Sequence, residues 1–76
     1  MAADPHLPKH LHAAYDWTAA AGELDELRDL TGGALLAYCL ESADNSAEHA
    51  AHPLDAVTAY ELESLHDWLQ GANHGR

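Results

Sequence analysis

The chain predicts an all-α fold, and three features of its residues predict it. Sixteen alanines and twelve leucines dominate, against one valine, no isoleucine and no phenylalanine. Alanine and leucine are strong helix formers, whereas strands draw on β-branched and aromatic side chains. The β-branched set is Thr18, Thr31, Val57 and Thr58, which cannot furnish two good strands. Proline and glycine then punctuate the chain at helical lengths, Pro8 with Gly22 and Pro53 with Gly71, the N-terminal and C-terminal signals of helices. The expected architecture is one domain, residues 1–76, with flexible ends at 1–7 and 72–76. It is a small bundle of three main helices, the second and third forming an antiparallel hairpin and the first packed across them. A chain of 76 residues buries only about 60% of its unfolded surface, so a lone monomer gains little net stability and self-association would add to it.

The first helix is expected from Pro8 to Ala21. At about 100° per residue, Leu7, Leu11, Ala14, Tyr15, Thr18 and Ala21 gather on one side, with Trp17 at the margin and Lys9, His12 and Asp16 opposite.

The second helix is expected from Glu23 to Ala43. Glu23, Asp25 and Glu26 place negative charge at its positive end. Leu24, Leu27, Leu30, Thr31 and Ala34 form the first part of its stripe. Gly32-Gly33 interrupts it, and two glycines in a helix interior cost about 2 kcal/mol relative to alanines. Either the chain breaks there into two short helices, or the glycines admit a closely crossing helix. The second is preferred because the stripe resumes in phase at Leu35 and Tyr38. Leu36 and Leu40 fall on the side that had been polar, so this end of the helix is expected to be buried all round, as at a dimer interface.

Asp44-Asn45-Ser46 reads as a turn, with Asn45 and Glu48 as a capping box for a short helical turn over Ala47 to Ala51. The third helix is expected from Pro53 to Gly71. Its apolar face holds Leu54, Val57, Leu62, Leu65, Trp68 and Leu69, and its outer face Asp55, Glu63, His66 and Asp67. Glu61 is out of place, projecting within about 20° of Leu54 and Trp68. Arg28 is its basic counterpart, projecting between Leu24, Leu35 and Cys39, which suggests a paired or interfacial charge. A simple hairpin leaves the two about seven residues out of register, roughly 10 Å. A bridge within the chain therefore needs a shifted hairpin, whereas an Arg28 to Trp68 cation contact or a pairing between subunits does not. The alternative is that Glu61 snorkels at the edge of the apolar face.

Charge narrows the function. The formal net charge is −10, and between Arg28 and Arg76 there are eight carboxylates and no lysine or arginine. Such a surface repels nucleic-acid phosphates and anionic membranes, leaving basic protein surfaces, cations or a second copy as partners. Seven histidines make that charge adjustable in mild acid. Cys39 stands alone among Leu35, Leu36, Tyr38 and Leu40 as a small buried hydrophobe, and with no apolar leader or spanning segment the cytoplasm is expected.

His6 and His10 are four apart and His49 and His52 three apart, spacings that place two imidazoles on one helical face. In Glu48-His49-Ala50-Ala51-His52 the glutamate precedes both histidines, unlike the zincin order, so solvated helix-end histidines are preferred and no metal is expected. No nucleophile elbow or phosphate loop is present, so no enzyme and no cofactor is expected. Acyl carrier proteins are also small, acidic and helical, but the nearest serines read Glu41-Ser42-Ala43 and Asn45-Ser46-Ala47 rather than Asp-Ser-Leu.

The functional expectation is a non-enzymatic, acidic helical interaction module that regulates or inhibits a basic protein partner and self-associates as a homodimer. The aromatics Trp17, Trp68, Tyr15, Tyr38 and Tyr60 exceed what so small a core can take. Interaction candidates are Glu61, Arg28, Trp68, Tyr60, Trp17, Glu63 and Asp67, with Gly32 and Gly33 as close-packing positions. The alternative is a nucleic-acid mimic of the phage anti-defence type, its spaced carboxylates filling a basic groove on a DNA- or RNA-binding host protein.

Overall fold

The computed structural model describes residues 7–52 and 55–74. Of the ends expected to be flexible, 1–7 and 72–76, residues 1–6, His6 among them, and 75–76 lie outside that set, as do Pro53 and Leu54. Leu7, by contrast, is buried in the core, and residues 72–74 continue the last helix. Four α-helices follow a 3-10 turn at Lys9–Leu11: α1 His12–Ala20, α2 Leu24–Asp29, α3 Gly32–His49 and α4 Ala59–His74, with no strand among the described residues. They form a small helical bundle in which α3 and α4 pack most extensively. These two run antiparallel. The start of α4 meets the end of α3 where Val57 N–H donates to Ser46 Oγ at 2.8 Å, and its later turns reach back to Leu30, ahead of α3.

The buried core consists of Leu7, Leu11, Ala14, Leu27, Cys39, Val57, Leu62 and Leu65. It draws on every helix, which is how segments this short remain helical. Gly22 ends α1 at φ +72°, with Gly22 N–H donating to Ala19 O and Glu23 N–H to Thr18 O. Those are the two bonds of a Schellman motif, and glycine supplies the left-handed residue it needs.

Three expected boundaries are corrected. The second predicted helix breaks at Leu30-Thr31, both extended, and α3 starts at Gly32 with φ +57°. A Cβ added at Gly32 or Gly33 meets nothing within 4 Å. The glycines mark a break, and no helix of the described chain crosses there. Consequently Thr31 and Ala34 of the predicted stripe are exposed while Leu27 is buried.

Asp44-Asn45-Ser46 is not a turn, because α3 runs through it to His49. Asn45 O accepts a bond from His49 Nδ1 at 2.8 Å rather than Asn45 capping a new helix. Finally, α4 starts at Ala59, not near Pro53. Thr58 N–H donates to Glu61 Oε1 at 2.9 Å and Glu61 N–H donates to Thr58 Oγ1 at 3.1 Å. This reciprocal pair is a capping box. Val57 and Leu62, immediately before the cap and four residues after it, are both buried in the core, the placement of a hydrophobic staple.

Candidate interaction surface

The two charges that sequence projection set apart have separate local partners. Glu61 closes the α4 capping box. The Arg28 guanidinium pairs with Asp25 at 3.3 Å and Asp29 at 3.0 Å on its own helix. The hydrogen bond from Arg28 holds the Asp29 carboxyl below the usual carboxylate range. Trp68 meets Tyr15 edge to face, ring centroids 6.4 Å apart and planes at 83°, and Trp17 lies tilted against His49 at 6.4 Å.

Tyr15, Trp17, Tyr38 and Trp68 all pack against the core, leaving Tyr60, 73% exposed, outside it. Of the five aromatics that exceed so small a core, four are accommodated against it and one is left over. Glu63 and Asp67 point outward on α4. Glu63 lies near enough to Cys39 to add to the effect of burial, which pushes that thiol upward.

His66 was expected on the outer face, but it is 6% exposed. Its Nε2 is 2.7 Å from Leu30 O, and its Nδ1 faces Asp67 Oδ1 at 3.4 Å. With Nε2–H donating to Leu30, the 3.1 Å approach of Gln70 Nε2 to that same nitrogen sets two donors side by side and is no hydrogen bond. Gln70 Nε2 instead donates to Arg28 O at 3.0 Å. Two α4 side chains therefore satisfy carbonyls orphaned where α2 ends. They anchor the α2 to α3 break, so His66 and Gln70 belong to the fold's framework.

The surface that remains is the outward side of α3, which is inverted in two respects. Across the helix, the buried residues are Cys39, Ser42 and Ser46, while Leu36 and Leu40 are each 53% exposed. Ordinary amphipathicity puts leucine inside and serine outside. Here Ser46 is needed inside to hold Val57 N–H. Ser42 lies beside Tyr38, whose hydroxyl donates to Glu23 Oε1 at 2.8 Å. Along the helix, the first turn has no acid, and the last turn has His49 as its basic residue. Glu41, Asp44 and Glu48, all exposed, instead crowd the C-terminal half. Of the three, only Glu48 lies in the last turn, where the negative end of the helix dipole disfavours a carboxylate.

At about 100° per residue, Leu36, Leu40, Asp44 and Glu48 form one i, i+4 row, with Gly33, Ala37 and Glu41 beside it. All seven are exposed. Within the chain itself Leu36 and Leu40 are not buried. The signal for this surface was their phase opposite Leu35 and Tyr38. Gly22, Leu24, Ala19 and Asp25 line a shallow depression elsewhere, of about 260 Å³, with one carboxylate beside aliphatic surface.

Among the described residues no group of three or more metal-ligating side chains comes together, and no helix is long and apolar enough to cross a membrane. Compared with family models, curated proteins and solved structures, the chain matches none.

Proposed function

We propose that this chain is a small acidic helical interaction module which performs no chemistry of its own and regulates or inhibits a partner bearing a basic surface. The observation that carries the reading is the outward side of α3. There two leucines stand half exposed beside three exposed carboxylates. Wetted leucines next to a concentration of acids are accounted for by a partner that covers the leucines and neutralises the acids. Exposed Tyr60 on α4 supplies further amphipathic contact area. We place the module in the cytoplasm, where a lone thiol such as buried Cys39 stays reduced.

The test is capture of partners from the source cell on immobilised protein, washed with rising salt and then challenged with duplex DNA. The module predicts a basic partner retained to about 0.5 M salt, where the Debye length is roughly 4 Å, and not displaced by DNA. A partner lost steeply with salt and displaced by DNA would identify a nucleic-acid mimic instead.

A further inference from the structure

Resting on that reading, we infer that the outward side of α3 takes a single amphipathic helix bearing lysine or arginine. The apolar ridge of that helix lies on Leu36 and Leu40, and its cations lie over Glu41, Asp44 and Glu48. The row from Leu36 to Glu48 spans twelve residues, about 18 Å of helix. It is apolar at one end and acidic at the other. A helix laid along it therefore meets two leucines and then, one to three turns further on, carboxylates that pair with no cation among the described residues. Helix-in-groove recognition reads i, i+4 anchors of this kind, and a basic amphipathic helix is the segment that matches their charge.

Charge and area both disfavour a second copy of this chain as the occupant. The outward side of α3 has no lysine or arginine, and the whole chain carries −10, so pairing two such faces brings carboxylate toward carboxylate. Of the cations, Lys9 lies in the 3-10 turn before α1 and Arg28 is held by Asp25 and Asp29. Two half-exposed leucines with Gly33 and Ala37 also fall well short of the roughly 800 Å² per partner that a stable dimer buries. The same patch is adequate for one transient helix, in which most of the energy comes from a few apolar anchors and the charges set the rate of encounter.

The probe is a synthetic 18-residue leucine/lysine amphipathic helix, titrated into the full chain by calorimetry beside a leucine/glutamate peptide of the same pattern. The expected result is one-to-one binding of the lysine peptide alone. Leu36→Ser with Leu40→Ser should weaken it about tenfold or more, and Glu41→Gln with Asp44→Asn and Glu48→Gln should flatten its salt dependence. Ala13→Ser on α1 should change nothing. The substituted leucines are exposed, and circular dichroism of each variant checks that its helices are retained. Unchanged affinity in the leucine variant, equal binding of the glutamate peptide, or no binding of the lysine peptide overturns the inference. So does a dimer in sedimentation that the leucine variant returns to monomer, because a second copy then holds the face. Each of these outcomes leaves the wider module reading to the capture experiment, which uses no designed peptide.

Discussion

Glu61 and Thr58 satisfy each other's backbone: Thr58 N–H donates to the Glu61 carboxylate at 2.9 Å, and Thr58 Oγ1 accepts Glu61 N–H at 3.1 Å. The pair fixes where α4 begins, and α4 packs against all the other helices of the bundle. Thr58→Ala is expected to destabilise the fold by about 1 kcal/mol, as N-cap losses do. Glu61→Leu, which would be neutral or stabilising for a snorkelling acid, should instead lower stability, with most of its effect absent in the Thr58→Ala background. Urea unfolding of the single and double variants measures that coupling.

The neighbouring glycines Gly32 and Gly33 make a sharper contrast. Gly32 has φ +57° and Gly33 continues the helix, and neither has an atom within 4 Å of an added Cβ. Gly32→Ala should cost about 1–2 kcal/mol for the left-handed backbone, whereas Gly33→Ala should stabilise by about 0.5–1 kcal/mol through helix propensity. A helix crossing closely at the pair would make both substitutions harmful. Thermal melts of the two variants decide it.

Thr18 is fully buried, and its Oγ1 finds no partner among the described residues. Removing an unsatisfied buried hydroxyl while keeping the side-chain shape should gain about 1 kcal/mol. Thr18→Val is therefore expected to raise the urea midpoint, and a lowered midpoint would mean that the hydroxyl has a partner in solution.

Burial, reinforced by the bond to Glu23, pushes the Tyr38 phenol up to about 12 from its ordinary 10. The unfolded chain thus releases this proton first as pH rises. The protonated phenol's contribution to stability is fully present below pH 10 and lost between about 10 and 12. Ultraviolet titration should show a late-ionising tyrosine near pH 12, and Tyr38→Phe should remove that component and flatten the alkaline loss of stability.

The all-α fold and much of its core were legible because they rest on periodicity and composition. Leu7, Leu11, Ala14, Leu27, Leu62 and Leu65 were all placed on inward faces, and Gly22 marked a helix end. What escaped was decided by single hydrogen bonds. Thr58-x-x-Glu61 is a sequence-readable capping box, yet Pro53 offers an earlier start for the same helix and hides the capping role of Glu61. Asp44-Asn45-Ser46 has turn chemistry, but the demand of Val57 N–H for Ser46 Oγ keeps that segment helical. His66 was assigned outward by polarity, whereas the open carbonyl of Leu30, visible only in three dimensions, draws it inward. The phase of Leu36 and Leu40 is readable in the sequence, whereas their exposure within the chain follows from the packing that turns Ser42 and Ser46 inward.

The central claim is that the outward side of α3 is the face this protein presents to a basic helix. Calorimetric titration of the leucine/lysine peptide into the native chain and into the Leu36→Ser, Leu40→Ser variant tests it most directly. One-to-one binding by the native chain is expected, with an affinity about tenfold or more weaker in the variant, a difference of at least about 1.4 kcal/mol. Equal affinity in the two, with the helices of both intact, would contradict it.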